Sequence, residues 1–147
     1  MPLWQEGLRI AIGKSPKAIQ PATHALIDYA IAGSFLLMAA RYWQRNRRAA
    51  IGSLICGGAA AANIILTDYP GGALSVIDYK THGRVDSGLA GITAAMPRLM
   101  GFSGEPEARA FGMMALAETA VSGLTDFKHY ERGLSRHPKL GRSRVSS

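Results

Sequence analysis

The chain has 147 residues, the length of one ordinary domain, and 48% of them are hydrophobic while only 18% are charged. Soluble domains carry about 25% charged residues, so the composition favours a membrane protein. The net charge is +7 and there is a single cysteine, Cys56, which gives no indication of a disulfide or of a thiolate-ligated metal site. The sequence also contains no Gly-rich phosphate loop and no nucleophile elbow, so nucleotide and acyl-transfer enzymes are disfavoured.

The first predicted element is an amphipathic N-terminal segment, residues 1–22. It has no long apolar stretch followed by a small-residue cleavage site, so we do not expect a cleaved secretory signal. Leu3, Trp4, Leu8 and Ile12 share one face if the segment is helical. They predict a short helix lying at the membrane interface.

Four apolar segments follow, and each predicts a helix. The first two have about the 20 apolar residues that a membrane crossing requires; the third and fourth carry isolated charges. Their predicted bounds are 23–43, 48–67, 82–101 and 107–125.

An internal repeat joins these segments into two units. Shifting the chain by 58 residues superimposes two histidines, two pairs of aspartates and two pairs of threonines, together with several small residues. The matched polar pairs are Thr23 with Thr81, His24 with His82, Asp28 with Asp86, Thr67 with Thr125, and Asp68 with Asp126. We therefore predict two tandem helical hairpins, residues 23–69 and 81–127, separated by a linker at 70–80.

The predicted fold class is all-α: a four-helix transmembrane bundle made of the two hairpins. A unit with two spans returns to the side where it began, so both copies enter the membrane in the same direction. This is the parallel kind of internal repeat, with a pseudo-two-fold axis along the membrane normal. Small residues at four-residue spacing predict close helix packing, and Gly33 and Gly91 occupy equivalent positions in the two copies.

Three motifs resemble the SPW-repeat family of small bacterial integral membrane proteins. They are Thr-His-x-x-x-Asp at the start of a helix, Thr-Asp-Tyr at 67–69 before a glycine turn, and PRLMGF at 97–102. The resemblance covers residues 23–127, although Met96 and Arg98 stand where the family has Ser and Trp. It implies a repeated helical fold in the bacterial inner membrane and no particular activity.

Positive charge predicts the orientation. The face that holds both termini and the central linker carries eleven Lys and Arg residues, and the opposite face carries six. Cytoplasmic faces collect Lys and Arg, so we expect both termini in the cytoplasm, although RYWQRNRR at 41–48 is itself a dense basic turn.

The predicted topology gathers polar residues near the face that holds the termini. They form one candidate polar or ion site: His24, Asp28, Asp68, His82, Asp86 and Asp126. Within each copy the His and the first Asp lie at i and i+4 on one helix face, so His24, Asp28, His82 and Asp86 are the candidate metal ligands. The alternative is a network of helix caps at the headgroup boundary. We expect Asp68 to approach His82 or the free amides that follow Thr81, and Asp126 to approach His24 or the free amides that follow Thr23.

Two further possibilities concern cofactors and a buried acid. A heme held by the two histidines is disfavoured, because the ring would lie near water and several carboxylates; no cofactor is otherwise indicated. Glu118 is a candidate functional acid within a span, and the first copy has Ala60 in its place.

The last predicted element is the basic C-terminal tail, residues 128–147. It has eight Lys, Arg or His residues and one Glu, a composition that attracts anionic lipid headgroups. Nucleic acid is not an expected partner, because no recognition pattern accompanies the charge. The expected partners are the bilayer, its anionic lipids, and a second copy or another membrane protein.

Two functional hypotheses remain open from the sequence. The first is a structural or partner-binding membrane module without enzymatic activity. The second is a cation- or proton-binding site at the repeat axis, serving as a transport accessory or a metal-dependent membrane enzyme.

Overall fold

A computed structural model describes residues 18–127 and shows an all-helical protein. Its four helices are α1 (Pro21–Tyr42), α2 (Arg47–Leu66), α3 (Tyr79–Leu99) and α4 (Ala108–Leu124). Within this range no strand forms, and extended pairing is limited to two isolated parallel bridges, Ile19 with Thr125 and Thr67 with Ile77. The predicted all-α class and the number of helices are confirmed. Most of the predicted N-terminal segment and the whole basic tail lie outside the described residues.

Two of the described helices, α1 and α2, are long and apolar enough to cross a membrane. Less than half of the most apolar stretch of each is buried inside the protein, 33% in α1 and 44% in α2. Apolar side chains therefore remain exposed along both helices.

Local sequence sets the helix starts. Proline stands at the first position of α1, where its missing N–H has no intrahelical partner to lose. The side chain of Asn46 caps α2 by accepting a hydrogen bond from the Ala49 amide at 3.1 Å, and Asp78 caps α3 through the Thr81 amide at 2.6 Å. These side chains satisfy amides that no helical carbonyl can reach.

The PRLMGF stretch ends α3 in a Schellman motif. The Phe102 amide donates to the Pro97 carbonyl at 2.8 Å, and the Gly101 amide donates to the Arg98 carbonyl at 3.3 Å. Gly101 has a φ of +72°, a left-handed conformation that glycine adopts without steric cost. Pro97 lies in the last turn of α3, so this proline and glycine together define the end of the third helix.

The helices pack as two hairpins, α1 against α2 and α3 against α4. The two hairpins meet mainly where α2 packs against α3, and α1 makes a smaller contact with α4. At the end near the two hairpin turns, Phe35, Met96, Phe102 and Phe111 form an apolar cluster with Ala49 and Cys56. At the opposite end a second cluster contains Ala25, Ala32, Ile64, Tyr69 and Tyr79.

Glycine does allow close helix packing, but not at Gly33 and Gly91, the two glycines that occupy equivalent positions in the two copies. A Cβ added at Gly57 would lie 2.8 Å from the Phe35 Cβ, so Gly57 allows α1 and α2 to approach closely. A Cβ added at Gly33, Gly58 or Gly91 would meet nothing within 4 Å. These three glycines therefore do not serve close packing among the described residues.

Candidate metal centre

The beginnings of α1 and α3 bring two His-Asp pairs together. His24 and Asp28 lie in the first two turns of α1, and His82 and Asp86 lie in the corresponding turns of α3. Both imidazoles are fully buried, and Asp28 is 8% exposed. Among the described residues these four form the group whose nitrogen and carboxylate atoms could hold one metal ion.

The distances within this group, here called the His-Asp cluster, are short. The two histidine Nε2 atoms are 3.3 Å apart. Each Nε2 also lies 3.0 to 3.1 Å from one oxygen of both aspartates, Oδ2 of Asp28 and Oδ2 of Asp86. Both rings therefore direct the same nitrogen toward one point between two carboxylates.

Two threonines fix the orientation of the rings. The Thr67 hydroxyl donates to the Asn63 carbonyl at 2.5 Å, so it accepts a hydrogen bond from His82 Nδ1 at 2.8 Å. In the same way, the Thr125 hydroxyl donates to the Val121 carbonyl and accepts from His24 Nδ1 at 2.8 Å. With the proton held on Nδ1, each neutral ring has its lone pair on Nε2.

The carboxylates have outer partners as well. The Asn63 side-chain amide donates to Asp86 Oδ1 at 2.7 Å, and the Tyr69 hydroxyl lies 3.4 Å from Asp28 Oδ2. Burial, together with the charges of Asp28 and Asp86, raises the pKa of Tyr69 well above its ordinary value. Its hydroxyl therefore stays protonated and can donate to Asp28.

Aromatic rings cover the loop side of the His-Asp cluster. Tyr69 lies 5.0 Å from the His82 ring, and Phe127 lies 5.3 Å from the His24 ring, measured between centroids. Tyr79 is 1% exposed and contacts both histidine rings. These contacts separate the imidazoles from the solvent beyond the helix ends.

The contacts of the cluster occur in pairs whose members are 58 residues apart. Thr67 with His82 corresponds to Thr125 with His24, and both nitrogen–oxygen distances are 2.8 Å. The two parallel bridges correspond in the same way. The exceptions are Asn63, Tyr69 and Glu118, whose counterparts are Val121, Phe127 and Ala60.

The structure brings together four of the six residues of the predicted polar site. Asp68 is exposed, and its carboxylate accepts a hydrogen bond from Ser75 of the linker at 3.0 Å rather than approaching His82. Asp126 lies outside the four-residue group in the described range. The cause is backbone geometry: Thr67 and Thr125, where α2 and α4 end, have extended backbone, and side chains alternate in direction along extended chain.

The predicted contact of Asp68 with His82 is therefore wrong, because Thr67 makes that contact, while the predicted approach of Asp126 stays a prediction. The helix ends do meet the helix starts of the other hairpin, but through the threonine hydroxyls and not through Asp68. The sequence contained a usable indication, because Thr67 and Thr125 match in the repeat. Asn63 and Tyr69 have no matching polar partner in the other copy, so the repeat could not identify them.

No family model, curated protein or solved structure matches this chain. The resemblance to the SPW-repeat family therefore stands on the sequence motifs alone, and the functional argument stands on the site.

Proposed function

We propose that this protein is an integral membrane protein that binds one divalent transition-metal ion, of the zinc class, at His24, Asp28, His82 and Asp86. The observation that carries the proposal is the approach of the two Nε2 atoms to 3.3 Å between the buried carboxylate of Asp28 and the half-buried carboxylate of Asp86. Two imidazole nitrogens and two carboxylate oxygens form a ligand set that suits zinc and related ions.

Two protonated imidazoles with two carboxylates would be as neutral as a divalent cation with two carboxylates, so the close approach of the two Nε2 atoms, and not the net charge, favours a cation over protons. If both Nε2 atoms were protonated, two positively charged rings would face each other at 3.3 Å. If neither were protonated, two lone pairs and two carboxylates would face one another in a buried space, which is costly without a counter-charge. A divalent cation between two neutral imidazoles and two carboxylates makes the site neutral.

The distances also agree with metal coordination. A cation about 2.05 Å from both Nε2 atoms would make an N–metal–N angle of about 107° across the 3.3 Å separation. The nitrogen–oxygen separations of 3.0 to 3.1 Å correspond to angles of about 95° to 100°. All of these angles lie below the tetrahedral value of about 109°, so the four side chains would leave a fifth coordination position for a water molecule.

The outer contacts have the form found around metal-bound histidines. Such a histidine usually donates its second ring N–H to an oxygen, which fixes the ring and the tautomer. Thr67 and Thr125 supply those oxygens here. A network of helix caps would not require both rings to direct Nε2 toward the same point.

The membrane location rests on where the apolar side chains lie. All four helices expose large hydrophobic residues, among them Leu37, Leu54, Ile92 and Leu116. The buried positions instead include polar residues, among them three members of the His-Asp cluster, Asn63, Thr93 and Glu118. Exposed apolar surface on every helix, around a partly polar interior, suits a lipid environment. With the charge distribution and the SPW-repeat resemblance, we assign the chain to the bacterial inner membrane with both termini cytoplasmic.

The paired contacts support the proposal that the bundle consists of two repeats of 58 residues about a pseudo-two-fold axis. The His-Asp cluster would then lie on that axis, and each repeat would supply one histidine and one aspartate. The first hypothesis from the sequence, a module with a structural role only, would explain the two convergent imidazole nitrogens as ion pairs with Asp28 and Asp86, and metal analysis distinguishes the two explanations.

Metal analysis of detergent-purified protein without a polyhistidine tag tests the proposal. We expect one zinc-class ion per chain, lost in His24→Ala and in His82→Ala. The matched control is His129→Ala with His137→Ala, which removes the two histidines of the tail and should leave the metal in place. Circular dichroism establishes that the variants remain helical. Absence of stoichiometric metal in the wild type, or full retention in both site variants, would contradict the proposal.

A further inference from the structure

A cavity adjoins the His-Asp cluster on the interior side of the bundle. Its volume is about 20 Å³, it is partly open to the outside, and residues from all four helices line it. A space of this size holds about one water molecule. The polar lining includes His24, Asp28, Asp86 and Glu118, and most of the remaining wall is aliphatic. Three of the four candidate metal ligands and Glu118 therefore line one common space.

Glu118 is a buried acid without a complete set of partners. It is 9% exposed, and its Oε2 has no hydrogen-bond partner among the described residues. Asn63 Oδ1, also buried, is likewise unpaired within that range, while the Thr93 hydroxyl interacts with the Glu118 carboxyl. Buried oxygens of this kind are usually satisfied by ordered water or by a ligand.

The covering of the cluster determines from which side a bound cation can be reached. Tyr69, Tyr79 and Phe127 lie over the imidazoles on the loop side. The apolar cluster around Phe35 and Phe111 closes the bundle at its other end. The cavity between these layers is thus the space into which a further ligand of the cation would extend.

Glu118 lies at a suitable depth to meet such a ligand. Along α4 it precedes Thr125, the contact of His24, by seven residues, or roughly 10 Å of helix. Asp28 follows His24 by four residues, or roughly 6 Å. Glu118 is therefore about one helical turn deeper than the carboxylates of the cluster, a separation that water can bridge.

We propose that Glu118 accepts a proton from a water molecule bound to the cation, an inference that rests on the metal site proposed above. One O–H bond of the water breaks, the proton passes to Glu118 Oε2 directly or through a second water, and hydroxide remains on the cation. Metal ions acidify bound water toward neutral pH, and a carboxylate within one water of it can act as the base.

The departure from the repeat agrees with this role. The equivalent position in the first hairpin is Ala60, which lines the same cavity. Each repeat supplies one histidine and one aspartate ligand, whereas the additional acid is present in the second repeat only. This further proton acceptor therefore lies on one side of the cavity. A purely structural pair of hairpins has no use for an acid with an unpaired oxygen at this point.

Visible absorption of the Co²⁺-loaded protein tests the inference. Co²⁺ would occupy the same ligands, and its absorption reports ionisation of bound water. Because Glu118 and the water would share protons, the wild-type spectrum should change in two steps as pH rises. Glu118→Gln should show one step, lying between the two, and Glu118→Asp should restore two. Ser122→Ala, a polar change in the same cavity, should leave both steps unchanged.

The outcomes separate this inference from the metal site itself. If wild-type protein fails to bind Co²⁺ one to one, the proposed function is wrong and this inference fails with it. If Co²⁺ binds one to one and the pH profile of Glu118→Gln equals that of the wild type, the metal site stands and the role of Glu118 is overturned. A change in Co²⁺ affinity alone, with the two steps retained, would likewise assign Glu118 a structural role only.

Discussion

Removing either threonine hydroxyl should weaken metal binding by the same factor. Thr67→Val keeps nearly the same shape but leaves His82 Nδ1–H without its acceptor, and Thr125→Val does the same to His24. The two hydrogen bonds are equal in length at 2.8 Å, so the two costs should match. Loss of an outer partner of a metal-bound histidine lowers metal affinity by about 10- to 100-fold.

In free-energy terms each variant should lose about 1.4 to 2.7 kcal/mol of binding. The double variant should lose roughly the sum, since each hydroxyl holds a different ring. A competition titration against a chromophoric chelator, in detergent and without a polyhistidine tag, measures these affinities. Thr119→Val is the matched control, because the Thr119 hydroxyl bonds a carbonyl of its own helix in the same way but contacts no histidine in the described structure.

If the metal affinities of Thr67→Val and Thr125→Val differ by more than about tenfold, the two hydroxyls are not equivalent outer partners. A loss of metal affinity in Thr119→Val as large as in these two variants would also contradict the prediction. Equal losses in both site variants, with an unchanged control, would support the metal site and the equivalence of the two hairpins together.

Three further predictions address packing, pH and topology. Gly57→Ala should destabilise the fold by about 1 to 3 kcal/mol through overpacking, because its Cβ would lie 2.8 Å from the Phe35 Cβ. Gly58→Ala, with open space around it, should be neutral or stabilising by up to about 1 kcal/mol. Chemical denaturation in mixed micelles measures both changes. Metal affinity should fall as pH falls through the titration of the imidazoles, because protons compete for the same Nε2 lone pairs; a pH-independent affinity would exclude histidine ligation. Reporter fusions after residue 147 and within 44–48 should report opposite sides, with the first in the cytoplasm, and the reverse outcome would mean that the basic turn controls orientation.

The sequence predicted the helices well because their determinants are local. The lengths of the apolar segments gave four helices, with bounds within about three residues of those in the structure. The repeat also identified His24, Asp28, His82 and Asp86 as equivalent positions, since i and i+4 side chains share a helix face. These conclusions required only spacing within single elements.

The remaining features depended on geometry between elements. Whether Thr67 or Asp68 faces the other hairpin is decided by the extended backbone at the end of α2, which reverses side-chain direction at each residue. Whether Gly57 or Gly58 meets α1 depends on the rotation of α2 about its own axis. Neither the side-chain direction at the end of α2 nor the rotation of α2 follows from composition or spacing, and both are known only from the packed structure.

The contacts shared by the two hairpins also bear on how such a centre can arise. Because each hairpin contributes one histidine and one aspartate, and each threonine reaches the histidine of the other hairpin, a chain of half this length could assemble the same ligands only as a pair of identical molecules. In that pair every change would appear on both sides at once. Joined in one polypeptide, the halves can diverge independently, and an acid such as Glu118 can face the neutral Ala60 without introducing a second negative charge opposite itself.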